Sequence, residues 1–153
     1  MSSVVKFSEA ASLALHAMGL FAADRDRRFQ ARDIALALPV SSSHLAKVLQ
    51  RLAKMGLIES TRGRGGGFTL ARVPEEITLL DVYEAVEGPL DVSRCLFSTP
   101  RCNGECLFGA ALGDAGKLIR DRLAKARLSE LTWVLKGRLA PKPRTARRSA
   151  ARS

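Results

Sequence analysis

The spacing of apolar residues predicts two helices near the start of the chain. Apolar side chains recur at intervals of three and four between residues 9 and 23, directly after Ser8, a residue type that favours helix N-termini. A second, shorter repeat covers residues 31–38 and stops at Pro39, whose ring cannot continue a helix. We therefore expect one helix of about four turns followed by a shorter one.

A third helix is predicted directly after the second, and one of its faces is basic. The serines at 41–43 are suitable N-caps, and Gly56 is a typical helix terminator. The apolar positions between them repeat at steps of three and four: Leu45, Val48, Leu49, Leu52 and Met55. The opposite face carries His44, Lys47, Arg51 and Lys54. Two short helices joined by a tight turn indicate a helix-turn-helix, whose second helix can enter the major groove of DNA.

A glycine-rich turn between two short apolar runs predicts a β-hairpin after the third helix. The strands are expected at residues 57–61 and 68–71, and the turn between them contains Arg62, Arg64 and four glycines. Glycine allows positive φ and a close approach to another backbone, and arginine favours the strongly negative minor groove of DNA. We therefore interpret the hairpin as the wing of a DNA-binding domain.

A fourth helix is predicted at residues 79–86. Thr78 is a suitable N-cap, and Gly88 ends the pattern. The expected buried side consists of Leu80, Tyr83 and Val86.

The longest apolar repeat runs from Phe108 to Ala126 and predicts a helix of about five turns. A winged domain of this size cannot cover an apolar stripe of that length. We therefore expect a homodimer that forms through this helix, with packing inside a single chain as the alternative. A shorter closing helix is expected at residues 128–135.

The charge of the chain narrows the class of partner. Among 153 residues, 25 are Lys or Arg and 15 are Asp or Glu, which gives a net charge of +10 and favours a nucleic acid. The segment 137–153 contains six basic residues and no acidic one, so we expect a disordered basic tail. It either attracts phosphate without sequence preference or only increases solubility.

Other classes of function are not expected. No apolar run reaches the roughly 18 to 20 residues of a membrane helix, and residues 1–7 lack the features of a signal peptide. This pattern predicts a cytoplasmic protein without a membrane partner. The two histidines form no recognisable catalytic constellation, so neither an enzyme nor a small-molecule substrate is expected.

All three cysteines, Cys95, Cys102 and Cys106, lie within a stretch of twelve residues. Closely spaced thiolates suit an iron–sulfur cluster, a zinc ion or redox chemistry. Three hypotheses therefore stand at this point. The cysteines hold a cluster, or two of them form a disulfide in a metal-free switch, or they form a zinc site with one oxygen ligand.

Three blocks of sequence together resemble the Rrf family of winged-helix transcriptional regulators, whose members include the iron–sulfur assembly regulator IscR and the nitric-oxide sensor NsrR. The blocks are VSSSHLAKVLQRLAKMGLIESTRGRGGGFTLAR at 40–72, ITLLDVYEAVEG at 77–88, and a three-cysteine segment followed by a long helix. The resemblance covers residues 4 to about 136. It implies a mostly α fold with a small β-hairpin wing, made of a winged helix-turn-helix domain plus a long dimerisation helix. It also implies homodimers that bind pseudo-palindromic operators in double-stranded DNA.

The resemblance also implies which residues contact DNA. By position, the DNA-contacting places of the family fall on Ser43, His44, Ala46, Lys47 and Arg62. Together with the basic face and the wing, the expected DNA-binding residues are Ser42, Ser43, His44, Lys47, Arg51, Arg62 and Arg64. Position 46 is a glutamate in the assembly regulator and an alanine here, so a different operator is expected.

Many family members hold an iron–sulfur cluster whose state changes DNA affinity. The resemblance therefore implies a 2Fe–2S or 4Fe–4S cluster on Cys95, Cys102 and Cys106, although six and then three residues separate them, where the family has five and five. The histidine ligand of the family corresponds to Gly109, which has no side chain to coordinate metal. The nitric-oxide sensor branch places a carboxylate at the position of Glu9 and donates it across the dimer. Glu9 is thus a candidate fourth ligand, and it equally suits the first turn of a helix.

The predicted organisation has four parts. Residues 1–90 form a winged helix-turn-helix domain, 91–106 a cysteine-containing sensor loop, 107–136 the dimerisation region and 137–153 the tail. The predicted function is a homodimeric regulator whose operator affinity follows iron–sulfur status, redox state or nitric oxide through the cluster.

Overall fold

The structure is a computed structural model that describes residues 7–38, 40–90 and 106–132. Helix α1 (Glu9–Ala23) lies at its centre. The Ser8 side chain caps α1 by accepting a hydrogen bond from the Ala11 backbone N–H at 3.0 Å. Helix α1 is buried on several sides, and its small alanines allow close packing against the neighbouring helices. Its buried residues are Ala11, Leu13, Ala14, Ala17, Met18, Gly19, Leu20, Phe21 and Ala22.

Helices α2 (Ala31–Ala37) and α3 (Ser42–Lys54) form the predicted helix-turn-helix. Ser41 caps α3, and its Oγ accepts a hydrogen bond from the His44 backbone N–H at 3.3 Å. The apolar stripe of α3 is almost completely buried, with Leu45, Val48, Leu49 and Leu52 at most 1% exposed. The inclusion of Met55 in this stripe was wrong, because Met55 lies beyond the last helical turn and is 60% exposed. Gly56 then reverses the chain with φ of 69°.

Strands β1 (Ile58–Thr61) and β2 (Gly67–Leu70) form the predicted antiparallel hairpin, with Ile58 opposite Leu70 and Thr61 opposite Gly67. The backbones of Phe29 and Phe68 exchange hydrogen bonds of 3.0 and 2.8 Å, which attach the hairpin to the segment before α2. A Cβ at Gly67 would lie 2.6 Å from the Phe29 carbonyl oxygen. Glycine is therefore required at this position by the close approach of two backbones.

Helix α4 (Leu79–Glu87) begins at a capping box of Thr78 and Asp81 and ends at Gly88, which has φ of 82°. Its buried residues are Val82, Ala85 and Val86. The predicted burial of Val86 is confirmed, but Leu80 and Tyr83 are only half-buried. The buried side of α4 was predicted only in part because the helix packs against α1, α3 and α5 together. Three neighbours therefore determine which of its residues are buried.

Helix α5 (Leu107–Lys125) is the longest helix of the described residues, and a 3₁₀ turn (Leu128–Leu131) follows it. The chain between them returns to the start of α4, where the Leu79 N–H donates to the Ala126 carbonyl at 3.0 Å and the Leu128 N–H donates to the Ile77 carbonyl at 2.9 Å. Leu128 is fully buried in the same core as α1. Where a closing helix was expected, residues 128–131 form a 3₁₀ turn, and residues from 133 onward lie outside the described part.

The predicted fold class is confirmed: within the described ranges the protein has five α-helices and one two-stranded hairpin. Among these same residues, no helix is long and apolar enough to cross a membrane.

Candidate nucleic-acid interface

The outer face of α3 presents polar groups to solvent at its N-terminal end. Ser42, Ser43 and Lys47 are exposed, while the apolar stripe on the opposite side fixes the helix to the core. Hydroxyl and ammonium groups at the start of a helix are suited to donate hydrogen bonds to phosphate oxygens and base edges. Ser42, Ser43 and Lys47, on the face predicted to enter the major groove, are therefore accessible to solvent.

His44 is arranged differently from its neighbours on α3. Its side chain is 31% exposed, and its Nδ1 lies 3.9 Å from Oε2 of Glu9 at the start of α1. The structure thus brings together two residues that sequence reasoning assigned to separate sites, one for DNA and one for a cluster. The Glu9 carboxylate therefore lies beside the first turn of α3.

Arg51 is also exposed, but its guanidinium contacts protein. Its Nη1 donates to the carbonyl oxygen of Val86, in the last turn of α4, at 2.5 Å. The sequence placed Arg51 with His44 and Lys47 on one basic face, and nothing local to α3 indicates a partner 35 residues away.

The wing carries two exposed arginines on a turn that requires glycine. Arg62 and Arg64 are exposed, and Gly63 and Gly65 have φ of 97° and 83°, values that side-chain-bearing residues rarely adopt. The Gly66 N–H donates to the Gly63 carbonyl at 2.9 Å and closes the turn. This arrangement holds both arginines at the tip, as expected for a wing that contacts a minor groove.

Arg28 supports the wing and was missed by sequence reasoning. Its Nη1 donates to the Gly65 carbonyl at 3.3 Å, and its Cγ lies beside Gly67, 2.9 Å from the position that a Cβ there would take. In the sequence, Arg28 is the last residue of the charged stretch at 24–28, between α1 and α2. The pairing of Phe29 with Phe68 is what brings Arg28 to the hairpin, and no local signal reports that pairing.

One pKa in the described part is clearly displaced, that of Tyr83 on α4. Partial burial, and secondarily the nearby Glu87 carboxylate, raise the pKa of the Tyr83 phenol above its ordinary value of 10.0. The ring also makes an edge-to-face contact with Phe7, with centroids 5.7 Å apart. The aromatic pair joins the segment before α1 to α4.

The cysteine site is only partly within the described residues. Cys95 and Cys102 lie outside them, as does the basic tail at 137–153. Cys106 caps α5, where its exposed Sγ accepts a hydrogen bond from the Gly109 backbone N–H at 3.3 Å. An exposed sulfur of this kind suits ligation of a soft metal. Within the described ranges, no three His, Cys, Asp or Glu residues lie close enough to hold a metal ion.

The two-helix unit, the exposed polar start of α3 and the arginine wing define a winged helix-turn-helix protein of the DNA-binding type. Comparison with known proteins supports this class. The sequence profile of the Rrf2 family, described as iron-dependent transcriptional regulators, matches residues 7–133. The chain belongs to the Rrf2 family of transcriptional regulators, which confirms the resemblance found in the sequence. Since this family is not enzymatic, the expectation that the protein is not an enzyme is also confirmed.

Individual relatives cover only part of the chain. NsrR of Geobacillus kaustophilus is 40% identical over 76 residues, which are 50% of this chain and 52% of that protein. IscR of Photorhabdus laumondii is 36% identical over 101 residues, 65% of this chain and 61% of that protein. The matched part is thus little more than half the length of these relatives. Among solved structures, the oxidized form of Staphylococcus aureus CymR matches with a TM-score of 0.68 and 25% identity over 84% of this chain and 96% of that one.

Proposed function

We propose that this protein is a homodimeric, cytoplasmic transcriptional regulator whose affinity for a pseudo-palindromic operator is controlled by an iron–sulfur cluster on Cys95, Cys102 and Cys106. The observation that carries the DNA-binding part is the contrast across α3. Its apolar stripe is at most 1% exposed, while Ser42, Ser43 and Lys47 on its outer face are exposed. Such a helix is rigidly held and has polar groups available for DNA.

DNA binding is tested with duplexes selected from a random library by the wild-type protein. Lys47→Gln and Arg62→Gln should each weaken binding and reduce the slope of log affinity against log salt by about two per dimer, because each subunit loses one cation that neutralises a phosphate. Arg72→Gln is the matched control, since Arg72 pairs with Glu76 outside the proposed interface. Unchanged affinity and slope in both Lys47→Gln and Arg62→Gln would refute the proposed interface.

The dimer is proposed to form through α5. Phe108, Leu112 and Leu118 are exposed large apolar side chains on this helix, and Phe108 and Leu118 are 68% and 61% exposed in the single chain. A second copy of the chain that buries them would remove this surface from water and place two recognition helices on one duplex. Leu118→Glu should yield a monomer by light scattering. Arg120→Glu, about 200° around the helix, should leave the dimer intact.

The cluster is proposed to be held by the three cysteines, with Glu9 as a fourth ligand from the partner subunit. When bound, a cluster supplies a group whose integrity and charge respond to oxidants and to nitric oxide. Two observations support the ligand set: the Cys106 sulfur is exposed, and the Glu9 side chain is 75% exposed, so both are accessible. Because Glu9 also faces His44, its recruitment as a ligand would change the surroundings of the recognition helix.

Metal analysis of protein purified without oxygen tests this assignment. Equal amounts of iron and sulfide with sulfur-to-iron charge-transfer absorption would support the cluster, and Glu9→Ala should alter that spectrum. Colourless, metal-free protein that still binds DNA would favour a thiol–disulfide switch, the second candidate. That alternative is supported by the oxidized form in which the CymR neighbour is described. Stoichiometric zinc would instead make the cysteines structural.

A further inference from the structure

The contact between Arg51 and α4 separates this arginine from the other basic residues of α3. The final carbonyls of a helix have no intrahelical partner and carry the negative end of its dipole. In a continued helix, the Leu90 N–H would bond to the Val86 carbonyl, but it donates to Glu84 Oε1 at 3.0 Å instead. Arg51 supplies the missing donor at 2.5 Å. The cation therefore caps α4 and is held by protein.

The end of α4 is a junction of several parts of the chain. Ser8, the cap of α1, donates to Glu87 Oε1 at 2.5 Å, and Glu84 holds the backbone of Leu90. Residue 91, where the predicted cysteine segment begins, follows at once. Helix α4 also packs against α5, the proposed dimer helix. Arg51 is thus a directional link from the recognition helix to the elements that carry the predicted dimer contact and precede the cysteines.

A directional link is needed here because apolar packing alone leaves helix orientation loosely defined. Burial of Leu45 and Leu49 of α3 and Val82 of α4 stabilises the packing of these helices in the core. The hydrophobic effect is non-directional, however, so this burial does not define their relative angle. A charged hydrogen bond with a short donor–acceptor distance restricts both the separation and the angle of the two helices. In a dimer, the angle between α3 and α4 contributes to the distance between the two recognition helices. That distance decides which separation of operator half-sites is bound.

We propose that Arg51 is a positioning residue for operator recognition, which holds α3 at a fixed angle to the end of α4 and makes no contact with DNA. This proposal rests on the proposed DNA-binding dimer. From the sequence, Arg51 was assigned to the DNA-binding face. In this proposal, Arg51 is instead a residue that determines which half-site spacing is bound. Arg51 affects DNA binding only because it sets the orientation of Ser43, His44 and Lys47.

The experiment compares Arg51→Gln with Arg51→Lys on the selected operator and on duplexes whose half-sites are one base pair closer or farther apart. We expect Arg51→Gln to lower affinity for the selected spacing about tenfold, the scale of one charge-assisted hydrogen bond, with an unchanged salt slope. The affinities of Arg51→Gln for the three duplexes should lie within about threefold of one another. Arg51→Lys keeps a cationic donor and should retain most of the wild-type spacing preference.

Two controls make the outcome decisive. Lys47→Gln should lower the salt slope by about two per dimer and keep the spacing preference, as expected for one phosphate contact in each subunit. Arg72→Gln removes an arginine that likewise donates to a backbone carbonyl, that of Glu76, and should change neither quantity. Thermal unfolding of each variant reports whether it is folded.

Each other result overturns the positioning role. A salt slope lowered by about two per dimer in Arg51→Gln would identify Arg51 as a phosphate contact, while the proposed function stands. An equal loss of affinity for all three duplexes would show a general loss of folded protein. An unchanged affinity would show that the hydrogen bond from Arg51 to α4 is unimportant for DNA binding. Failure of the wild-type protein to bind any duplex would instead refute the proposed function, and the positioning role with it.

Discussion

Helices α3 and α5 carry the same kind of apolar repeat, but the residues that the structure describes cover only the repeat of α3. The stripe of α3 is at most 1% exposed, whereas Phe108 and Leu118 of α5 are 68% and 61% exposed. In the sequence the two repeats have the same period, and only the greater length of the α5 repeat favoured a partner outside the domain. The comparison shows that an apolar repeat predicts burial but does not say whether the same chain or a second copy provides it.

The largest expected effect tests this difference directly. Leu49→Ala should lower the free energy of unfolding by about 2 to 5 kcal/mol, because a fully buried leucine leaves a cavity. Leu118→Ala should have a much smaller effect at low protein concentration, where the monomer dominates, and a larger one at high concentration. Urea unfolding at two protein concentrations measures both. A large, concentration-independent loss in Leu118→Ala would mean that the chain itself covers α5.

A second prediction concerns how tightly the DNA-binding part is packed around its wing. Gly67→Ala should destabilise the protein by about 1 to 3 kcal/mol, because its Cβ would lie 2.6 Å from the backbone oxygen of Phe29, which cannot move freely. Gly63→Ala is the control: it has φ of 97° but nothing within 4 Å, so only backbone strain opposes it. Chemical denaturation should give a larger loss for Gly67→Ala. The reverse order would show that the hairpin is not anchored at Phe29.

The N-caps of the two helices provide a third, smaller contrast. Ser41→Ala removes the hydroxyl that accepts from the His44 N–H and should cost about 1 kcal/mol. In metal-free protein, Cys106→Ser replaces a sulfur cap of α5 with a better hydroxyl cap and should change stability by less than about 0.5 kcal/mol. Thermal unfolding of the two variants measures both effects. A clear destabilisation of metal-free Cys106→Ser would indicate that the sulfur does more than cap the helix.

The smallest effect lies on α4, at the half-buried Tyr83. The raised pKa of Tyr83 means that the folded protein prefers the neutral phenol. Stability should therefore fall as the pH rises from the unfolded pKa through the higher folded pKa. The chain contains one tyrosine, so ultraviolet absorbance of the phenolate follows it alone. The folded protein should titrate at a higher pH than the protein in urea, and Glu87→Gln should reduce that difference slightly. Identical midpoints in the folded protein and in urea would contradict the prediction.

Much of the fold could be predicted because its signals are local. Helix α1 was predicted at its observed bounds, and α3 and the hairpin within one or two residues, because caps, glycines and the period of apolar positions act within a few residues of the element. The exposure of Ser43, Lys47, Arg62 and Arg64 follows from the same patterns, since each lies opposite an apolar stripe or on a glycine turn.

The sequence by itself thus determined the order and type of the elements, the family and which polar residues face solvent. The tertiary structure decided which of these residues act on one another. It placed Arg51 against the end of α4, Arg28 against the wing and Glu9 beside His44, and it selected the buried face of α4. These contacts join residues about 35 or more positions apart or depend on several neighbouring elements. No local pattern encodes them, because they exist only when the whole chain has packed.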